Sequence, residues 1–398
     1  MMMLKLIYFL VTGYFIFCSL YVLLYAIAGL FYKSSVFRKA TAYRKIAILV
    51  PAYKADEVIE ELADNVLLQD YQDYDLIVIA DSLSDNVLMR LKQKPIKVMP
   101  FHDEKRTKAL ALNTIMAQLT DDYDIALILD ADNLIPDGDY LSRLNDIFEW
   151  GIQAVQTHRT AKNTNTVLAL LDAASEEINN HLFRRGHAAL GLSSALIGSA
   201  MAFDYRLFRE QMRSITSSGE DKDMEMKLLK MRVPVVYMDD MIVLDEKVQK
   251  AGSFVNQRAR WIANQMMQAK NNVGEGFIQL FRGNIDFFDK AMQHFLMPRL
   301  FLIVSVTVLS ASATIFLHGA YLYVWVIIAA ITYFGILISI PRRMYTFRLL
   351  KSVFYLPKAV ILMLLSLFRI KGATKRFVAT EHAAVPYHQK VNPSDSFK

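Results

Sequence analysis

Cysteine is nearly absent from the 398-residue chain: Cys18 stands alone, inside an apolar run. That excludes an intramolecular disulfide framework and leaves apolar packing as its role. Acidic residues are missing before Asp56, while Lys33, Arg38, Lys39, Arg44 and Lys45 crowd the exit of the first apolar run. His102, His158, His181 and His187 lack metal-ligand spacing, which argues against a zinc site and leaves them as surface or core histidines. Neither an internal repeat nor a low-complexity tract occurs. The apolar runs hold almost no charge, which argues against a transporter. The net charge of +6 is modest, and much of the excess flanks those runs. Anionic headgroups account for it, so no nucleic-acid partner is expected.

What is abundant is apolar surface: 54% of residues are hydrophobic and the mean hydropathy is positive, too much for a purely soluble enzyme. Leu4 to Phe31 form a run long enough to cross a hydrocarbon core of ~30 Å. With no small-residue cleavage site it reads as an uncleaved anchor. Leu296 to Leu317 and Tyr321 to Ile340, divided at His318-Gly319, read as a transmembrane hairpin. Val353 to Phe368 is shorter, holds Pro357 and Lys358 and has basic flanks, so an interfacial or re-entrant placement fits better than a crossing. Basic residues after the first span put the polar region in the cytosol. The 19 methionines suit adaptable packing.

Between Arg44 and Asp289 short β-branched runs alternate with helical ones, the pattern of an α/β domain with a mostly parallel sheet. Strands are expected at Lys45 to Tyr53, Tyr74 to Ser82, Ile96 to Pro100 and Asp124 to Asp132. Helices are expected at Asp56 to Gln69 and Thr107 to Leu119. Ligands sit outside the carboxyl ends of such strands, where Asp81, Asp130 and Asp132 fall. Strand alternation would point Asp130 and Asp132 to one side, able to share Mg²⁺ or Mn²⁺ with phosphate oxygens. Alone, a D-x-D is more often a solvated turn.

Glu220 and Asp221 head the helical run Met224 to Met231; as caps they would be ordinary, and as an acid at a helix start one can serve as general base. Gly198-Ser199 reads either as a tight turn lining a pocket or as plain packing. QRARW, residues 257 to 261, reads as a membrane-surface anchor or as a ligand site. His158 and Arg159 could line an acceptor channel, although a bland role weighs more.

Taken in order, VPAY, Asp81, KALALN, DADN, GSAMAF, GED and QRARW resemble the family-2 inverting glycosyltransferases, the group of bacterial cellulose, hyaluronan and poly-N-acetylglucosamine synthases. The resemblance covers residues 45 to 265 and implies a GT-A fold. It implies that Asp81 contacts the nucleoside, that Lys108 lies near the nucleotide, and that Asp132, with Asp130, binds metal and diphosphate. Asp221 would be the base. Gln257 and Arg260 would face the diphosphate. Trp261 would be a platform for the acceptor sugar, with Gly198, Ser199 and Glu220 on the acceptor side. Arg258 is off the pattern and is expected to meet lipid. Departures are Thr107 for glycine, Ala80-Asp81 for paired acids and Gly219 for threonine. KRFVATEH, Lys375 to His382, resembles a W-x-x-T-x-R/H ending or is a basic segment on lipid.

The organisation expected is an anchor at 1–32, a cytosolic GT-A domain at 44–250, the Q-x-x-R-W segment with interfacial helices at 251–294 and a hairpin at 295–341. An interfacial or re-entrant segment with a cytosolic return would follow at 342–382 and a flexible tail at 383–398. The reading is a multi-pass enzyme of the bacterial plasma membrane that moves sugar from a nucleoside diphosphate sugar, such as a UDP-sugar, to a polysaccharide or lipid-linked glycan. Homo-oligomers or secretion-complex subunits stay open as partners. Alternatives are a non-processive transferase acting on a lipid and a catalytically silent nucleotide-sugar-binding subunit.

Overall fold

The computed structural model describes residues 2–103, 107–120 and 122–370. The KRFVATEH segment and the tail lie outside the described residues. A seven-stranded sheet runs in the order β3-β2-β1-β4-β6-β5-β7, built from β1 (Ile46–Tyr53), β2 (Tyr74–Asp81), β3 (Lys97–Pro100), β4 (Ile125–Ile128), β5 (Ala154–Ala161), β6 (Met201–Asp204) and β7 (Val236–Asp245). Strand β6 pairs antiparallel with β4 and β5, and the other pairings are parallel. Antiparallel β6 lies between the halves, so β5 and β7 extend the edge that carries the ends of β1, β2 and β4.

Alternation along β1 explains the layers, since successive side chains of a strand face opposite ways. Ile46, Ile48 and Val50 pack with α2 (Ile59–Val66), α3 (Asp85–Lys92) and α5 (Tyr140–Glu149). Ala47 and Leu49 pack on the other face with α4 (Lys108–Met116), α8 (Tyr205–Met212) and α9 (Glu220–Lys230). Thr107 is the N-cap of α4, its side chain accepting from Leu110 N at 3.2 Å. That cap accounts for threonine in place of glycine and sets Lys108 at the first helical position.

Helix α1 (Met2–Gly29) carries the anchor run, and α12 (Arg299–Phe316) and α13 (Ala320–Ile338) the hairpin. Cys18 is buried among Phe15, Val22, Val306 and Trp325 of these helices. Between sheet and hairpin lie α6 (Val167–Asn180), the three-residue α7 (His187–Ala189), α10 (Ala251–Phe281) and α11 (Ile285–Phe295). A π-helical turn, His181–Gly186, joins α6 to α7 and presses on α1, with a Cβ on Gly186 falling 2.4 Å from the Tyr25 carbonyl.

Among the described residues four stretches are long and apolar enough to cross a membrane: Lys5–Gly29, Arg299–Phe316, Ala320–Ile338 and Phe347–Phe368. The last is interrupted. It divides into α14 (Phe347–Ser352), a 3₁₀ turn and α15 (Leu356–Phe368). The 13 residues of α15 would span only about 20 Å, and Leu362 packs against Phe254 and Val255 of α10.

Candidate active site

Strand β4 stops at Ile128, short of the expected end at Asp132. A turn replaces the alternation: Asp130 N donates to Asn133 Oδ1 and Asn133 N to Asp130 O, each at 3.0 Å. The asparagine side chain thus competes with the strand ladder and turns the chain. Lys108 Nζ lies 2.5 Å from Asp130 Oδ1 and donates to the Gly198 carbonyl at 2.6 Å. Burial pushes the Asp130 carboxyl up, but Lys108 and then Arg159 outweigh it and hold it below the ordinary carboxylate value.

The loop bearing Gly198 and Ser199 is strained and tightly held. Gly198 has φ +87° and Ala200 φ +54°, the left-handed region that glycine tolerates and alanine enters only at a cost. Buried Gln156 fixes it, donating to the carbonyls of Ser199 and Ala200 at 3.1 and 2.9 Å and accepting from Ile197 N at 3.1 Å. Arg159 Nη1 donates to Ser199 Oγ at 3.1 Å.

Glu220 and Asp221 open α9, Gly219 being its N-cap. Lys108 Nζ is 3.9 Å from Glu220 Oε1, and a Cβ on Gly198 would stand 4.0 Å from Asp221 Oδ2. Burial raises the Glu220 carboxyl to about 7, with Lys108 pulling down and Asp221 pushing up. Burial likewise raises Asp221. Arg260 faces this acid set: burial draws its guanidinium down while Glu220, Asp130 and Asp221 support its charge.

Gln257, a turn before Arg260 on α10, holds a buried Oε1 with no hydrogen-bond partner among the described residues. Trp261 is 40% exposed; Arg258 lies over its ring at 4.1 Å. Asp81 ends β2, two strands from β4 on the same sheet edge, roughly 10 Å away at the usual strand spacing. Its Oδ1 accepts from Ser82 Oγ at 2.8 Å. Lys108, Asp130, Gly198, Ser199, Glu220, Asp221 and Arg260 therefore converge, while Asp81 and Trp261 flank them.

A second expectation is corrected. Arg258 does not face lipid: it is 9% exposed, paired with Asp172 of α6 and packed on Phe254 and Trp261. A carboxylate on a neighbouring helix outcompetes the interface, because a buried guanidinium needs a counter-charge. His158 is a core histidine, bonded to Asp239, Glu177 and Tyr237 at 2.9, 3.1 and 2.8 Å.

Sequence reasoning underrated Arg159 and missed Asp245 and Gln156. Arg159 lies 3.8 Å from both Asp130 Oδ2 and Asp245 Oδ1 and 2.7 Å from Glu176 Oε1. For Gln156 and Arg159 the available signal was the run of polar residues in AVQTHRTA, a strand that is nearly all buried.

The residues present fit a divalent cation. The Asn133 amide nitrogen lies 3.4 Å from Asp132 Oδ1 and 3.2 Å from Asp245 Oδ1, drawing the two acids together. Burial pushes Asp245 far above the carboxylate range; Arg159 opposes this, and Asp132 and Asp130 add to it. Lys247 Nζ lies 2.6 Å from Asp245 Oδ2 and answers part of that charge, and paired carboxylate oxygens suit a hard cation. Among the described residues no three acidic, histidine or cysteine side chains gather to hold an ion alone, so phosphate oxygens would complete its shell. Asp132 and Asp245 would hold it, and it would supply Lewis-acid neutralisation of a leaving diphosphate.

Comparison with known proteins agrees with this architecture. A mannosyltransferase from Pyrobaculum calidifontis, solved with GDP-Man and Mn²⁺, superposes with a TM-score of 0.56 at 16% identity over 90% of this chain and 95% of that one. The shared fold is GT-A. A poly-β-1,6-N-acetyl-D-glucosamine synthase of Staphylococcus aureus is 30% identical over 127 residues, 31% of this chain and 30% of the relative. The chain thus spans less than a third of the length of the curated relatives it matches. The model of the family described as glycosyltransferase like family 2 matches residues 44–264, more than half of the chain. By that match, and with the strand-edge cluster that lies within it, the chain belongs to glycosyltransferase family 2.

Proposed function

We propose that the protein transfers a sugar, with inversion, from a nucleoside diphosphate sugar of the UDP-hexose class to a growing polysaccharide or lipid-linked glycan. It would do so at the cytosolic face of a bacterial plasma membrane. The observation that carries the reading is the crevice around Gly198: Asp221 Oδ2 stands 4.0 Å from where a Cβ of Gly198 would lie, and Lys108 Nζ reaches the Gly198 carbonyl at 2.6 Å and Asp130 at 2.5 Å.

In this reading Asp221 takes the proton of the acceptor hydroxyl as its oxygen bonds to the anomeric carbon. The bond from that carbon to the diphosphate oxygen breaks on the opposite face. Arg260 and Lys108 stabilise the charge that collects on the departing diphosphate, through hydrogen bonds that strengthen as it forms. Gln257 Oε1, buried and unpaired, would accept from a donor hydroxyl. The open face of Trp261 suits the apolar side of a pyranose.

Membranes holding the full chain, incubated with radiolabelled nucleotide sugars and Mg²⁺ or Mn²⁺, test the proposal. Transfer by the wild type and its loss in a folded, donor-binding Asp221→Asn variant are expected. Donor binding without transfer in the wild type would instead make it a silent nucleotide-sugar-binding subunit. A non-processive enzyme acting on a lipid is favoured over a polymer synthase by the interruption of the fourth apolar stretch before α15, which leaves few helices for a channel. Mass analysis of product length separates the two.

A further inference from the structure

Helix α6 accepts hydrogen bonds from cations of several elements. Asp172 takes Arg258 of α10. Glu176 takes Arg159 at 2.7 Å, and Glu177 takes His158 and Arg343 at 3.1 Å each. Ser175 takes Arg299, whose Nη2 donates to its carbonyl and its hydroxyl at 2.7 Å each.

Arg299 is the exception among these cations. Its neighbours on α6 are neutral oxygens, and its Nη1 is buried with no hydrogen-bond partner among the described residues. Among the described residues no carboxylate forms an ion pair with it. Asp172 and Ser175 are three residues apart, on adjacent turns of one helix face. Arg258 and Arg299 therefore dock on neighbouring turns of α6, where Asp172 pairs with Arg258. A guanidinium presents a planar fork of N–H donors that matches two oxygens of one phosphate, and a buried cation without an anion is unfavourable.

The surroundings indicate which anion. Arg299 heads α12, the first helix of the apolar hairpin, preceded by Met297 and Pro298. Gln265 of α10 donates to the carbonyl of Leu296 at 2.7 Å, so the face of α10 that carries Arg258, Trp261 and Gln265 runs along this junction. Trp261 has its ring under Arg258 at 4.1 Å and remains 40% exposed. A phosphate here would have a sugar platform beside it and an apolar span beneath it. The donor diphosphate has its own cations, Lys108 and Arg260, in the crevice.

We infer that Arg299, with Arg258 beside it, seats the phosphate ester of a membrane lipid at the head of α12, next to Trp261. The consequence, that the acceptor is a phosphate-linked lipid or the glycan it carries, rests on the transferase reading above; the site itself does not. Two sources share the chemistry, a polyprenyl phosphate serving as acceptor and an ordinary anionic phospholipid headgroup.

The test uses the full chain in a neutral detergent, without donor or metal, and radiolabelled long-chain polyprenyl phosphate as probe. Saturable binding is expected, weakened about tenfold or more in Arg299→Gln, with neutral polyprenol failing to compete on the wild type. Phosphatidylglycerol competing as well as unlabelled polyprenyl phosphate assigns the seat to headgroups; its failure to compete assigns it to the acceptor. Either result supports a lipid-phosphate site. UDP binding checks that the variant is folded, and the competition on wild type stands if it is not. Equal competition by neutral polyprenol, or unchanged affinity in a folded Arg299→Gln, overturns the inference. Because no sugar transfer is measured, failure of the transferase reading leaves a different trace, namely phosphate binding without activity.

Discussion

Gly219 lies directly against Asn264: a Cβ at position 219 would fall 2.9 Å from the Cγ and Nδ2 of that asparagine. Backbone conformation is not the reason for glycine, since φ is −121°. The glycine of GED, which departs from the threonine of many relatives, is therefore matched to a residue on α10, one turn beyond Arg260. Gly219→Thr is expected to lower stability by roughly 1–3 kcal/mol through overpacking and to slow transfer by displacing Glu220 and Asp221. Asn264→Ala in the same chain should recover much of both. Thermal unfolding and transfer rates of the two variants check this.

Glu220 predicts a pH dependence of stability. Its folded value, about 7, lies above the ordinary 4.5, so the folded state holds a proton that the unfolded state releases. Stability from this group is full below pH 4.5 and is lost as pH rises through about 7. Glu220→Gln should raise unfolding stability at pH 8, by on the order of 2–3 kcal/mol in the absence of ligand, and leave it nearly unchanged at pH 4.5. A gain at acidic pH instead would refute the sign.

Lys108 and Asp130 should prove energetically coupled. Lys108 has a side chain 12% exposed while Asp130 remains 35% exposed, so solvent screens the pair and a coupling of about 1–2 kcal/mol is expected. Lys108→Met and Asp130→Asn would each destabilise, and the double variant would cost less than their sum. Denaturant unfolding of the four proteins measures it.

Asp132 and Asp245 should differ in what they lose. Asp132→Asn and Asp245→Asn are each expected to weaken Mn²⁺ binding in the presence of UDP by about tenfold or more, read by electron paramagnetic resonance. Without metal, Asp245→Asn is expected to lower stability at neutral pH, because it breaks the buried pair with Lys247, whose Nζ lies 2.6 Å from Asp245 Oδ2. Unchanged Mn²⁺ affinity in Asp245→Asn would remove it from the cation site.

Strands β1 to β4 and helices α2 and α4 were legible because apolar alternation and helical periodicity are local, whereas β5, β6 and β7 were not among the strands expected. Thr107 capping α4 and the acids opening α9 could be read from neighbouring residues too. The end of β4 could not: Asp130 and Asp132 looked like strand positions until Asn133 bonded back to Asp130. Arg258 was misread for a similar reason. A basic residue beside tryptophan near apolar runs has the composition of a membrane anchor, and its carboxylate, Asp172, lies 86 residues away.

Composition and order along the chain by themselves determined an α/β domain tied to apolar helices, with acids and cations at intervals matching one family. Tertiary structure decided which of those charges meet. Burial makes a charge costly unless another is close, and closeness between Lys108, Asp130, Glu220 and Arg260 is a property of how sheet and helices pack. Strand order set the crevice; packing between α6, α10 and α12 set which guanidinium groups were given a carboxylate and left Arg299 without one among the described residues.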